Sequence, residues 1–220
     1  MALIGAMPVA TKICGPSTPE AVTAAVDGGA SHIGFIFFPK SPRDIAPDAA
    51  ARLAPPARAR NVKVVAVTVD PDDEQLDRLA SLLAPDLIQL HGAETPARAR
   101  DVARRTGAGV IKVLTVSTAH DLAAARAYEA AVDHLMFEAR PPPDSDLPGG
   151  NGARFDWSLM MGRRFQRPWL LAGGLDPWNV VDAVRASGAP MVDVSSGVER
   201  GPGLKDPALI TAFLDAARRA

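Results

Sequence analysis

The sequence is poor in cysteine, which limits the classes of protein to which it can belong. Cys14 is its one cysteine in 220 residues. A lone thiol cannot form an intrachain disulfide, and no residue near it has the spacing of a metal-ligand motif. We therefore expect neither a disulfide framework nor a metal site, and the composition favours a reducing compartment.

The sequence also lacks an excess of charge of either sign and lacks a long hydrophobic run. Its 24 Lys and Arg residues balance 25 Asp and Glu residues, which gives a formal net charge of −1. No general positive field exists to attract nucleic acid or an anionic membrane. No apolar run approaches the roughly 20 residues of a membrane span, and no basic region begins a signal peptide. We expect a cytoplasmic protein without nucleic-acid or membrane partners.

Short β-branched apolar runs recur along the chain. Hydrophobic residues make up 47% of it and charged residues 22%, as is ordinary for a globular protein. Period-2 patterning and composition predict eight strands. Their predicted bounds are Thr11–Gly15, His32–Phe37, Val62–Val69, Leu87–His91, Val110–Val116, His134–Ala139, Trp169–Ala172 and Met191–Ser195.

Segments rich in Ala, Leu and Arg follow these runs and are typical of helices. Several begin with Pro after a polar residue, which is a helix-start signal. Their predicted bounds are Pro19–Gly28, Pro47–Leu53, Asp72–Leu83, Pro96–Thr106, Ala119–Ala130, Asp156–Phe165, Pro177–Ser187 and Pro207–Arg219.

Eight consecutive strand–helix units predict one (β/α)8 TIM barrel domain over residues 1–220, because such repeats pair in parallel and eight can close into a ring. A doubly wound open sheet is the competing α/β fold. It rarely needs eight similar units, and no G-x-G-x-x-G follows the first strand. The segment Pro141–Gly152 is the one long connection, which on a barrel is usually a lid or a ligand loop.

Polar residues occupy inward positions at the ends of four predicted strands. In a barrel, alternate residues point inward, and those at the carboxyl ends form the active face. A buried charge costs several kcal/mol unless it is paired or used, so four such strand ends predict one polar cavity. The residues are Lys12 and Cys14, Gln89 and His91, Glu138, and Asp193 and Ser195.

Glycine-bearing turns follow the last two strands, where barrels often bind phosphate through backbone N–H groups. Gly173 and Gly174 follow strand 7, and Ser195, Ser196 and Gly197 follow strand 8. We expect all five to contribute to a phosphate site. Gly150, in the Gly-rich stretch of the long loop, is a further candidate for substrate contact, with a flexible hinge as the alternative role of that stretch.

Six ordered segments resemble the phosphoribosylanthranilate isomerase family over nearly the whole chain. Each segment falls at a predicted strand end or loop, and the family fold is the (β/α)8 barrel. The segments are KICG (12–15), GFIFFPKSPR (34–43), IQLHG (88–92), PGGNGARFDW (148–157), LLAGGLDPWNV (170–180) and VDVSSGVERGPGLKD (192–206).

The resemblance implies an aldose–ketose isomerase of tryptophan biosynthesis that uses no metal or cofactor. The implied reaction is an Amadori rearrangement of N-(5-phosphoribosyl)anthranilate. An acid protonates the furanose ring oxygen, the ring opens to a Schiff base, and a base removes the C2′ proton. The family's base is the cysteine of KICG, here Cys14. Nearby positive charge or dipoles can bring the pKa of such a thiol near neutrality, and Lys12 is a candidate either for supplying that charge or for supporting the barrel floor.

The family's general acid is an aspartate at the end of strand 6, and this sequence has Glu138 there. The longer side chain moves the carboxyl by one methylene, and a misplacement of about 1 Å can cost on the order of a hundredfold in rate. Glu138 is the predicted acid, with Asp144 and Asp146 of the adjoining loop as substitutes.

Three further residues match substrate-contacting positions of the family. Arg43 corresponds to the arginine that pairs with the anthranilate carboxylate, which a guanidinium can hold through two parallel hydrogen bonds. His91 and Asp193 correspond to residues that line the site. Asp156, by contrast, is interpreted as a helix N-cap.

Other functions remain alternatives. Indole-glycerol-phosphate synthase would need a lysine at an active strand end, whereas Lys63 lies near the opposite end of strand 3. The histidine-pathway isomerase would need carboxylates where this chain has Cys14 and Thr115. A phosphosugar-binding barrel with impaired catalysis is favoured by Glu138 alone. We expect a monomer or a weak homodimer with a small-molecule substrate as its partner.

Overall fold

Eight parallel strands close into a ring in the computed structural model, which describes residues 9–145 and 147–220. The strands pair in sequence order, and β1 also pairs with β8 to complete the barrel. The predicted (β/α)8 fold is confirmed. The strands are β1 Ala10–Cys14, β2 His32–Phe37, β3 Lys63–Thr68, β4 Leu87–Leu90, β5 Gly109–Val116, β6 His134–Ala139, β7 Trp169–Leu171 and β8 Met191–Val194.

Helices cover the outside of the ring. Three begin at capped positions that the sequence indicated: Thr18, Thr95 and Asp206 each accept hydrogen bonds from backbone N–H groups of the first turn. The helices are α1 Pro19–Asp27, α2 Pro47–Leu53, α3 Pro55–Ala59, α4 Asp73–Leu82, α5 Pro96–Thr106, α6 Ala125–Tyr128, α7 Val180–Ser187 and α8 Pro207–Ala217.

Two predicted helices are shorter than expected. The segment Asp156–Phe165 forms only a 3₁₀ turn over Trp157–Met160, because Gly162 takes a left-handed φ of 71° that ends it. Asp156 nevertheless caps this turn by accepting from the Ser158 N–H. The segment Ala119–Ala130 forms a 3₁₀ turn over Asp121–Ala124 and the single turn α6.

A small antiparallel hairpin follows the last barrel strand and was not predicted. It consists of β9 Glu199–Gly201 and β10 Leu204–Lys205, after a 3₁₀ turn over Ser196–Val198. Helix α7 also begins at Val180 rather than at Pro177, because Asp176 accepts from the N–H groups of Trp178 and Asn179 and holds a turn there.

The strand alternation separates two apolar regions. Met136 points into the barrel, whereas Leu135 and Phe137 of the same strand pack against the helices. Because the alternation has the predicted phase, the polar residues of the predicted set point into the ring at its carboxyl end. Among the described residues, no helix is both long and apolar enough to cross a membrane.

Candidate active site

A cavity opens at the carboxyl ends of the strands, and we call it the mouth cavity. It encloses about 510 Å³ of space, including its open mouth, which is within the usual range for a small-molecule site. Seven of the predicted site residues line it together. Its lining consists of Cys14, Ile36, Phe38, Ser41, Arg43, Val67, Val69, Gln89, His91, Glu138, Leu147, Pro148, Gly149, Gly150, Asp193 and Ser195.

Cys14 is the last residue of β1 and is buried, with 5% of its surface exposed. Burial raises the pKa of its thiol, and the nearby charge of Asp193 adds to this effect. Lys12 and Lys205 lower the pKa, but they do not cancel the effect of burial. Nearby positive charge therefore does not bring the pKa of the free thiol near neutrality, and Cys14 is protonated at neutral pH in the unliganded protein.

Lys12 lies fully buried inside the barrel, where its ammonium is 2.7 Å from a carboxylate oxygen of Asp193. The two residues are direct neighbours across β1 and β8. Burial lowers the pKa of Lys12, but the charge of Asp193, together with that of Cys14 once it is a thiolate, outweighs burial and raises that pKa above its ordinary value. Lys12 thus stays charged beneath the thiol, with Asp193 as its partner.

Glu138, on β6, lies at the cavity wall between His91 and Gly150. Its Oε2 lies 2.9 Å from Nε2 of His91, and its Oε1 accepts from the N–H of Gly150 at 3.3 Å. The His91 ring N–H is not directed at Oε2, so this close contact lacks an aligned hydrogen bond. Two strands, β7 and β8, separate Glu138 from Cys14 around the ring.

The loop that follows β6 approaches these side chains at two glycines. A Cβ on Gly149 would lie 2.7 Å from Oε2 of Glu138 and 2.5 Å from Cε1 of His91. A Cβ on Gly150, whose φ is 72°, would lie 2.9 Å from Nη1 of Arg43. Glycine at both positions allows the backbone to cover the acid and the guanidinium.

Arg43 lines the cavity but already holds a carboxylate of the protein. Its Nε and Nη2 donate to the two oxygens of Glu199 at 2.7 and 2.9 Å. The edge formed by Nε and Nη2 is therefore occupied. A substrate carboxylate can meet only the other edge of the guanidinium, which carries Nη1.

Glu199 and Lys205 are the main residues of the site that the sequence analysis missed. Their side chains are buried in the small hairpin, and Lys205 donates to Glu199 at 2.5 Å and to the carbonyl of Ser195 at 2.9 Å. The segment VERGPGLKD contains both residues, but the sequence carries no signal that they face Arg43.

The glycine turns lie at the predicted places, beyond the lining of the mouth cavity. Within the described part of the chain, the N–H groups of Gly173, Gly174, Ser196 and Gly197 donate to no protein acceptor. Gly173 and Gly174 have left-handed φ values of 91° and 64°. Ser195 connects the two regions, since it lines the cavity and its hydroxyl donates to the carbonyl of Cys14 at 3.1 Å.

Of the two predicted substitute acids, Asp144 does not line the mouth cavity. Asp144 is exposed and does not line the mouth cavity, so Glu138 is its only lining glutamate or aspartate besides Asp193 among the described residues. Asp146 lies outside the described residues. No group of three or more His, Cys, Asp or Glu residues in residues 9–145 and 147–220 could hold a metal ion.

Comparison with known proteins identifies the family. The family model described as N-(5'phosphoribosyl)anthranilate (PRA) isomerase matches residues 11–216. The chain belongs to this family. Curated family members named N-(5'-phosphoribosyl)anthranilate isomerase include that of Caulobacter sp. (strain K31), 67% identical over 96% of this chain and 99% of the relative. The one from Brucella canis is 52% identical over 93% and 92%.

Solved structures of the family share this barrel. Phosphoribosyl anthranilate isomerase from Thermotoga maritima has a TM-score of 0.84 and 36% identity, covering 96% of this chain and 100% of that one. An isomerase structure in complex with reduced 1-(o-carboxyphenylamino)-1-deoxyribulose 5-phosphate has a TM-score of 0.81 and 35% identity, with the same coverage. The predicted family and enzyme class are thereby confirmed, and the alternative of a binding barrel with impaired catalysis is not supported.

Proposed function

We propose that this protein isomerises N-(5-phosphoribosyl)anthranilate to 1-(2-carboxyphenylamino)-1-deoxyribulose 5-phosphate in tryptophan biosynthesis. The observation that carries the proposal is the mouth cavity, in which a thiol, a carboxyl and a guanidinium meet. An Amadori rearrangement of this substrate needs a base, an acid and a group that receives the anthranilate carboxylate.

Cys14 is the proposed base and Glu138 the proposed acid. Glu138 gives its proton to the furanose ring oxygen, the C1′–O bond breaks, and the nitrogen lone pair forms the Schiff base. Cys14 first loses its thiol proton to solvent and as thiolate removes the C2′ proton, and the electron pair of that bond forms the enolamine, which tautomerises to the ketone. The raised pKa of the Cys14 thiol makes its thiolate a strong base, and the charge of Lys12 together with the cationic Schiff base of the bound substrate stabilises that thiolate.

The other contacts follow from the charges of the substrate. We assign its carboxylate to the free edge of Arg43, and its phosphate to the N–H groups of Gly173, Gly174, Ser196 and Gly197. His91 orients Glu138, Gly150 closes the site over it, Asp193 holds Lys12, and Ser195 supports the backbone of Cys14. The reaction so described uses no metal or cofactor.

The domain organisation, location and oligomeric state of the protein are also proposed here. One domain with a cytoplasmic location suits the closed barrel and the small, phosphorylated substrate. A monomer or weak homodimer without nucleic-acid or membrane partners stays a prediction.

Turnover of the fluorescent substrate, generated enzymatically, tests the proposed function. We expect the purified protein to accelerate the fluorescence decay well beyond the spontaneous rate, and to restore growth of a tryptophan auxotroph that lacks the isomerase. Cys14→Ala should lose on the order of a hundredfold or more in kcat and keep its fold by circular dichroism. A wild-type protein that binds the product but does not accelerate decay would refute the proposal.

A further inference from the structure

Glu199 occupies an unusual position for a carboxylate, since it lies between two cations: Lys205 and Arg43, the latter of which lines the mouth cavity. Its side chain is 4% exposed, that of Arg43 is 5% exposed and that of Lys205 is 1% exposed. Burial of a charge is costly unless it is paired and hydrogen-bonded. The buried Glu199 carboxylate therefore contributes either to stability or to function.

The Glu199 carboxylate accepts four hydrogen bonds. Its Oε1 accepts from Nε of Arg43 at 2.7 Å and from Lys205 at 2.5 Å. Its Oε2 accepts from Nη2 of Arg43 at 2.9 Å and from the N–H of Gly203 at 3.2 Å. Burial raises the pKa of Glu199, but these cationic partners outweigh burial and hold it below its ordinary value. Glu199 is thus a fixed anion with no capacity for another donor.

The two hydrogen bonds to Glu199 fix the orientation of the Arg43 guanidinium. A guanidinium offers two forked edges for carboxylates, one with Nε and Nη2 and one with Nη1 and Nη2. Glu199 occupies the first edge. The second edge, with Nη1, faces the loop at Gly150, and Nη1 donates to no acceptor in the part of the chain that the structure describes.

The charges of the cluster leave one cation uncompensated. Arg43 and Lys205 carry two positive charges, and Glu199 carries one negative charge. No second carboxylate of the described residues forms an ion pair with either cation. A ligand carboxylate at the free edge of Arg43 would neutralise this buried excess, which makes the cluster complementary to an anion.

We propose that Glu199 is a positioning residue that sets the specificity of the site for an aromatic carboxylate. It does so by holding Arg43 so that the Nη1 and Nη2 edge meets the anthranilate carboxyl group. This inference rests on the proposed function, in which Arg43 receives that group. Lys205 supports Glu199 from the other side and joins it to Ser195.

Binding of two matched ligands tests the proposal without requiring turnover. One is reduced 1-(o-carboxyphenylamino)-1-deoxyribulose 5-phosphate, and the other is its phenylamino counterpart without the carboxyl group. Calorimetry gives Kd for both ligands with the wild type and with Glu199→Gln. The Kd of the ligand without the carboxyl group, divided by the Kd of the carboxylated ligand, measures how much that group contributes to binding.

Glu199→Gln should lose about tenfold or more in affinity for the carboxylated ligand and less than about twofold for the other. Without the Glu199 carboxylate, Arg43 no longer directs its charge-assisted hydrogen bonds at the ligand carboxylate. In an Arg43→Ala background, the same substitution should change neither Kd further. Equal losses for both ligands, or no loss for either, would overturn the proposal, since a structural role does not distinguish them.

Two controls separate positioning from damage to the fold. Glu94 is another buried carboxylate, paired with Lys112 at 2.7 Å outside this cluster, and Glu94→Gln should lower the unfolding midpoint without changing the ratio of Kd values. If Glu199→Gln does not fold, the ratio of Kd values is measured with Glu199→Asp instead. It keeps the charge and shortens the reach, so a lowered ratio supports the proposal and a wild-type ratio overturns it. A wild type that binds both ligands but shows no turnover refutes the proposed function alone.

Discussion

Lys12 and Asp193 form an ion pair of 2.7 Å inside the barrel, two residues along β1 from Cys14. The pair as a whole is neutral, but its two charges act on the thiol in opposite directions. Lys12 lowers the pKa of Cys14, Asp193 raises it, and burial dominates both. Burial therefore sets the basicity of Cys14, and the balance of this pair adjusts it.

Alkylation of Cys14 by iodoacetamide measures that balance, because the chain contains no other cysteine. The rate should rise with pH along a curve whose midpoint lies above that of a peptide with an exposed cysteine. Asp193→Asn should move the midpoint to lower pH and Lys12→Met to higher pH, since each removes one of the opposing charges. Three identical midpoints would show that the pair does not influence the thiol.

Substitutions of Glu138 test the acid and the length of its side chain. Glu138→Gln keeps the size but cannot give a proton, so kcat should fall about a hundred- to ten-thousandfold. Glu138→Asp should retain more activity than Gln but less than the wild type. Its shorter carboxyl cannot keep both the His91 contact and the Gly150 bond. A faster Asp variant would show instead that the glutamate is misplaced.

The close approach of the loop after β6 makes Gly149 intolerant of a side chain. Gly149→Ala would push a methyl group against Glu138 and His91, at 2.7 and 2.5 Å. We expect a loss of kcat of about tenfold or more, because the acid must shift from its position. Gly201→Ala is the control, because Gly201 has no left-handed φ and its added carbon would meet only the Leu204 side chain, at 3.7 Å. Equal kinetics of the two variants would argue against this contact.

Buried His32 and half-buried His134, at the amino ends of β2 and β6, make stability depend on pH. Burial, followed by the charge of Lys12, lowers the pKa of His32 to about 4, and burial also lowers that of His134. Below the ordinary value of 6.5, the unfolded chain binds a proton that folded His32 does not. Stability present at pH 7 is therefore lost as the pH falls from about 6.5 towards 4.

The pKa of His32 is 6.5 in the unfolded chain and about 4 in the folded protein. His32 alone should therefore lower the free energy of unfolding by about 2 kcal/mol between pH 7 and pH 5. Urea unfolding at the two pH values measures this difference. His32→Gln keeps a polar side chain that does not titrate in this range, so its loss should be smaller by that amount. A wild type and variant with the same pH dependence would mean that His32 is not buried as a neutral ring.

The sequence predicted the barrel and much of the mouth cavity because both follow from local periodicity. Alternation along each strand decides which residues point inward, and ring closure then brings Cys14, His91, Glu138 and Asp193 to one end. Glu199 could not be predicted in this way. Its partner Arg43 is 156 residues away, and the contact depends on how two loops fold over the ring.

The shortened helices show the same limit. The segment 156–165 has a helical composition, but Gly162 takes a left-handed conformation that ends the helical turn. The raised pKa of Cys14 could not be predicted from the sequence either, because the sequence indicates the nearby lysine but not how deeply the thiol is buried. Burial proved to be the larger effect.

A crystal structure with the bound reduced product analogue tests the central claim most directly. We expect Sγ of Cys14 to lie about 3 to 3.5 Å from the carbon that corresponds to C2′, as a near-attack arrangement requires. The Glu138 carboxyl should lie within hydrogen-bond distance of the oxygen that was the ring oxygen. A ligand whose C2′ carbon lies against neither residue, with the sugar outside the mouth cavity, would contradict the assignment of base and acid.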